Sequence, residues 1–138
     1  MPRTPLILSM LLASGCATSA PDAIAPPPAA LFSLSVEDAP AENGKKLNMA
    51  LRELSRDAES SLVEVTFISG GSVSSSMFIL RGMCGLMRAR GENYFVSERV
   101  SKSLSQYRIT FPKVVGEQEL RSPDKKPFSA AECSMLRF

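Results

Sequence analysis

The sequence predicts an α+β domain, a small antiparallel sheet with a long helix packed on one face. Three observations predict it. Segments 31–36, 62–69, 94–100 and 106–111 carry strand patterns, either apolar–polar alternation or β-branched runs ended by glycine or proline. A longer segment, 77–90, repeats apolar residues at helical spacing over a broad stripe. The resulting order, strand–helix–strand–helix–strand–strand–helix, lacks the regular strand–helix alternation of a parallel α/β sheet.

Leu31-Phe32-Ser33-Leu34-Ser35-Val36 alternates as a half-buried strand does. Over 48–60, Met49, Ala50, Leu51, Leu54 and Ala58 fall near helical spacing, with Arg52, Glu53, Arg56 and Glu59 turned outward. The spacing predicts a helix there. Residues 62–69 are rich in β-branched side chains and end at Gly70-Gly71, a strand. Ser74-Ser75-Ser76 offers caps for the next helix. Its stripe is Met77, Leu80, Cys84 and Met87, flanked by Ile79, Met83 and Leu86, and Gly91 stops it. Gly82 and Gly85 inside this helix cost about 1 kcal/mol each relative to alanine, which asks for close packing there. Segments 94–100 and 106–111 read as strands joined by a polar turn at 101–105. Tyr107, Ile109 and Phe111 fall on one face of the second, Arg108 and Thr110 on the other, and Pro112 closes it. Residues 114–127 read as loop, and 128–136 as a short final helix capped by Ser129.

The amino terminus has its own pattern. Arg3 precedes Leu6-Ile7-Leu8-Ser9-Met10-Leu11-Leu12, and small residues follow. A basic start, a short apolar run and a small-residue cleavage point make a secretory signal. The run is too short to span a bilayer, which takes about twenty apolar residues. Leu12-Ala13-Ser14-Gly15-Cys16 resembles a lipobox, and on those residues the chain is similar to bacterial lipoprotein precursors. The resemblance implies a signal at 1–15, diacylglycerol and further acylation on Cys16, and stable attachment to the membrane through more than one acyl chain. Ala17, where an aspartate would retain the protein at the inner membrane, implies the outer membrane. The alternative from the residues alone is an ordinary signal cut after an Ala-x-Ala-like site near 17–20.

Residues 16–30 then form a Pro-rich tether carrying Pro21, Pro26, Pro27 and Pro28, extended at about 3 Å per residue. It reads equally as a spacer or as a leader of no set length. Residues 31–138 remain for one small domain. With Cys16 acylated in an oxidising compartment, Cys84 and Cys133 are expected as a structural disulfide that staples the long helix to the C-terminal segment, with two buried free thiols or a redox site as the alternatives.

The sequence has 16 Lys+Arg, 14 Asp+Glu and no histidine, for a formal charge of +2. Without histidine there is no Ser-His-Asp triad, Cys-His dyad or histidine metal site. The charge is too small to argue for nucleic acid, and no cofactor or metal is expected. Gly70-Gly71-Ser72 opens a helix, as anion-binding turns do, but lacks the P-loop lysine; a turn with a capping serine accounts for it. Lys102 adjoins Ser101 and Ser103 in a turn, where neighbouring side chains point apart. Glu53, Asp57, Glu59, Glu64, Glu92 and Glu98 show no spacing that demands acid–base work. No catalytic residue is assigned. Arg81, Arg88, Arg90, Arg99 and Arg108 form a candidate patch for an anionic partner, with a solvated face as the alternative. Met77, Met83 and Met87 read as an adaptable surface or as core filling.

Arg81, Gly91, Tyr94 and Phe95 also resemble an apolar helix running into a Gly-x-x-Tyr-Phe strand, as in small, functionally uncharacterised periplasmic lipoproteins of Gram-negative bacteria. That likeness implies compartment and fold and brings no activity. The expected function is a non-catalytic, membrane-anchored periplasmic lipoprotein that binds an envelope protein or other envelope component. The alternatives are an immunity-type inhibitor of a periplasmic toxin and a small histidine-independent hydrolase.

Overall fold

The computed structural model describes residues 29–121 and 125–136. The signal at 1–15, Cys16 and the tether as far as residue 28 lie outside the described residues. Six strands form one antiparallel sheet: β1 (Ser33–Pro40), β2 (Lys46–Arg56), β3 (Ser60–Ser69), β4 (Tyr94–Ser101), β5 (Gln106–Thr110) and β6 (Phe128–Ser129). Their order in space is β1-β2-β3-β5-β4-β6. Helix α1 (Ser72–Ala89) connects β3 to β4 across the sheet, with β5 filling the gap between those two strands. Two short helices, α2 (Glu117–Arg121) and α3 (Ala130–Met135), complete the chain. The class is α+β, with α1 on one face of the sheet.

Alternation selects that face. Leu47, Met49, Leu51 and Glu53 of β2 are buried, and Leu51 pairs with Leu34 of β1 and Val65 of β3. Ile109 and Phe111 extend the same layer, as their spacing predicts. Phe78, Met83, Cys84, Leu86 and Met87 of α1 close it from above. Gly82 permits the approach, since a Cβ there would stand 2.6 Å from Leu51 Cδ1. Met83 and Met87 are core, whereas Met77 is exposed. Cys84 and Cys133 form the expected disulfide, with Cα atoms 5.8 Å apart, joining α1 to α3.

One predicted element is overturned. Residues 48–60 are not a helix; they are most of β2, the β2–β3 turn and the first residue of β3. Met49, Ala50, Leu51 and Leu54 fit a helical stripe, but Leu47, Met49 and Leu51 also alternate. Pairing with β1 and β3 on both sides decides in favour of the strand. β1 also runs past residue 36 through a bulge, where Asp38 takes φ 51°. The segment read as loop contains α2. Ser129 caps α3 as expected, in a reciprocal capping box with Glu132. No described helix is long and apolar enough to cross a membrane.

Candidate functional site

The most polar buried position is Glu53, which faces the core from β2. Its Oε1 accepts from Ser61 Oγ at 2.6 Å and Arg56 Nε at 2.8 Å; its Oε2 accepts from Arg56 Nη2 at 2.5 Å and the Phe32 amide at 2.8 Å. Arg90, just past α1, lies 3.8 Å from the same carboxylate. Arg90 also donates to Ser61 Oγ at 2.9 Å and to the carbonyls of Asp57, Ala58 and Ser60 in the β2–β3 turn. Its guanidinium sits 4.7 Å from the Phe111 ring centre. Burial alone would raise the Glu53 pKa. The Arg56 bonds, the Phe32 amide and the Ser61 hydroxyl outweigh it and hold the carboxyl at about 2. Every strong bond of this carboxylate goes to the protein itself, so the network locks the helix end to the hairpin.

The start of α1 is closed in the same way. None of the serines supplies the N-cap, which is Gly71 with no side-chain bond of its own. Glu42, from the turn before β2, accepts from the Val73 amide at 2.8 Å, the Ser74 amide at 3.2 Å and the Ser74 hydroxyl. The Ser74 hydroxyl does most to lower the Glu42 pKa, to about 2. The helix N-terminus therefore does hold an anion, and the anion is Glu42. A Cβ on residue 71 would fall 1.8 Å from Glu42 Oε1, so Gly71 makes the approach possible.

The remaining chemical candidates are in turns. Asp57 accepts from the Ser60 hydroxyl and from the amides of Glu59 and Ser60, which lower its pKa. Ser101 Oγ meets Ser103 Oγ at 3.2 Å and accepts from the Leu104 amide. Among the described residues no three His, Cys, Asp or Glu side chains converge as metal ligands.

The five arginines do not form one surface. Arg90 is committed to the Glu53 network, its side chain only 7 % exposed. Arg81 and Arg88, two turns apart on α1, share its exposed side. Arg99 lies over Tyr107 on the helix side of the sheet, 5.9 Å from the ring centre, and donates to the Lys102 carbonyl. Arg108 pairs across strands with Glu98 on the opposite side.

Concave surface lies instead around β4. A groove of about 410 Å³ separates α1 from β4 and β5, walled by Ile79, Leu80, Met83, Phe95, Tyr107 and Phe128, with Lys125 and Lys126 at its mouth. A second hollow of about 580 Å³ lies between the opposite side of β4–β5 and α2, lined by Val96, Glu98, Thr110, Pro112 and Glu119. Val96, Ser97 and Lys125 line both, so the two meet at the outer side of β4. Sequence reading missed this junction because Lys125 lies in a segment with no periodicity. It missed Glu42 and Glu53 because their partners lie as far as 32 and 37 residues away. No protein-family model, curated protein or solved structure matches the chain.

Proposed function

We propose that the chain is a lipid-anchored periplasmic domain that binds another envelope component without catalysis, through the joined hollows around β4. The observation that carries the reading is the apolar groove between α1 and β4–β5 with Lys125 on its lining, Lys126 beside it being paired with Glu132 at 2.9 Å. Such a surface suits a partner that presents an apolar segment beside acidic groups. The commitment of Glu42, Glu53 and Arg90 to bonds within the fold supports a binding role, since these charges hold the helix ends in place. The lipobox-like Leu12-Ala13-Ser14-Gly15-Cys16 supports anchoring, and Ala17 the outer membrane.

The test places a photo-crosslinking residue at Ser97 or, as a control, at the exposed Arg52 of β2 in the full chain expressed in a Gram-negative envelope. A discrete adduct is expected from Ser97, weakened by Lys125→Glu, with none from Arg52. Equal labelling at Ser97 and Arg52, or none at Ser97, removes the binding reading. Labelled palmitate tests the anchor separately, and incorporation that persists in Cys16→Ser refutes it.

A further inference from the structure

One end of the sheet gathers apolar side chains that the core does not use. β3 ends there, β2 begins there, and the β4–β5 turn closes there: Ser69 Oγ donates to the Lys46 carbonyl and the Val65 amide to the Ser105 carbonyl. The first turn of α1 follows directly from Gly70-Gly71. This end exposes Phe67 (55 %), Ile68 (74 %), Val73 (66 %) and Leu104 (58 %), with Val100 beside them. Four separate elements contribute, which no single amphipathic segment requires.

Lys45, Lys46, Arg99 and Lys102 stand at the same end. Of the nearby acids, Asp38 faces Lys46 at 3.8 Å and Glu42 is turned into the α1 amides, leaving Glu37 on the edge strand and Glu98 beside Arg99. Against these two stand Lys45, Arg99 and Lys102, so the charge directed outward is positive on balance. Phe67, Ile68, Val73, Val100 and Leu104 line neither of the two hollows around β4. A protein partner needs matched shape around such side chains, whereas a bilayer interface conforms to them.

We propose that this end docks on an anionic phospholipid surface, Phe67, Ile68, Val73 and Leu104 entering the headgroup region while Lys45, Arg99 and Lys102 meet the phosphates. The site is separate from the hollows around β4 and needs no acyl chain. It is compatible with the anchored reading. The first strand begins at Ser33, in register with Arg52 and through it with Glu64, about 13 Å along β3 from Ile68. Residues 16–30 span roughly 40 Å at most, enough for anchor and docking end to reach one bilayer.

The experiment uses the full chain carrying Cys16→Ser, so that no acylation contributes, mixed with vesicles of phosphatidylethanolamine and phosphatidylglycerol. Sedimentation should show binding that falls with added salt and is lost on phosphatidylcholine vesicles. Phe67→Ser with Ile68→Ser should weaken it by about tenfold or more, and Lys102→Glu should weaken it and flatten the salt dependence. Val114→Ser, which alters an exposed apolar side chain elsewhere, should leave binding unchanged. Circular dichroism checks each variant, and Leu104→Ser supplies an independent probe if the double variant is misfolded. Absence of binding, binding indifferent to Phe67, Ile68 and Leu104, or a dimer that forms through these residues and ignores vesicles overturns the proposal. None of these outcomes bears on the crosslinking at Ser97, because the vesicles contain no envelope protein.

Discussion

The Glu53 carboxylate and the Arg90 guanidinium lie 3.8 Å apart in the core, bridged by Ser61, which donates to the first and accepts from the second. One comes from the middle of the sheet and the other from the end of α1, so their contact fixes how the helix terminates over the hairpin. A buried charge pair of this kind stabilises little relative to an apolar replacement, yet it is costly to break from one side.

Glu53→Gln is therefore expected to cost about 3–5 kcal/mol, because Arg56 and Arg90 are left as uncompensated charges. The pH dependence follows from the same bonds. The folded carboxyl titrates at about 2, below its ordinary value of 4.5. It contributes its stability fully above pH 4.5 and loses it as the pH falls from there towards 2. Urea unfolding across that range should show wild-type stability falling with acidification and the Glu53→Gln variant changing less. Parallel curves for the two proteins contradict the assignment.

Arg90→Lys is predicted to behave as a loss, not as a conservative change. The guanidinium donates to Ser61 and to three turn carbonyls while stacking on Phe111. An ammonium has three donors, no plane, and a shorter reach. The expected cost is about 2–3 kcal/mol, the worth of one or two charge-assisted bonds. Arg88→Lys, at an exposed position of α1, should lie within about 0.5 kcal/mol of wild type. Equal effects at the two positions would falsify the partition of the arginines.

How far such features were legible depends on the range of the interactions that make them. Segments 94–100 and 106–111 were readable because their alternation is local, and Ser129 because its partner Glu132 is three residues on. The α1 stripe was readable for the same reason. β2 was not. Its Met, Leu, Ala, Arg and Glu residues have helical propensity, and the strand is imposed by neighbours on both sides. Glu53 then looked like a solvent-facing charge, since an inward carboxylate makes sense only once Arg90 is known to arrive 37 positions later. The arginines were readable as a set but not as a surface, because faces are assigned by register.

Gly71→Ala is expected to undo the start of α1. The new Cβ would occupy the place of the Glu42 carboxylate, 1.8 Å from Oε1, and expel it from the Val73 and Ser74 amides. Both Gly71→Ala and Glu42→Gln should lower the melting temperature and speed hydrogen exchange at those two amides. The double variant should be little worse than either alone, since each removes the same cap. Additive losses would show that the two residues act separately.

Replacing Cys84 and Cys133 by alanine should destabilise the domain by about 4 kcal/mol on the loop-entropy model, for a bridge between positions 49 apart. The bridge ties α3 to α1, and among the described residues the C-terminal segment pairs with the sheet through the two-residue strand β6. Loosening should therefore begin there. Limited proteolysis of the reduced protein is expected to cut first in the region between β5 and α3, with the β1–β3 meander protected. Simultaneous loss of both regions would mean that the meander depends on the bridge as well.

Gly82 and Gly85 distinguish close packing from mere tolerance within one helix. Alanine normally gains about 1 kcal/mol over glycine in a helix interior. At residue 82 the added carbon would stand 2.6 Å from Cδ1 of Leu51, which has no exposed surface and neighbours on every side. Overpacking of that kind costs about 1–3 kcal/mol, so Gly82→Ala should be net destabilising. At residue 85 the clash is with the ring of Phe32, at 2.8 Å from Cζ. Phe32 is only half-buried and sits just before the edge strand β1, where a small swing of the ring opens the space. Gly85→Ala should then be close to neutral, its propensity gain offsetting the displaced ring. Unfolding curves in which Gly85→Ala is the worse of the two would mean that Phe32 is held more rigidly than Leu51, placing the tightest helix–sheet contact at β1 and not at β2.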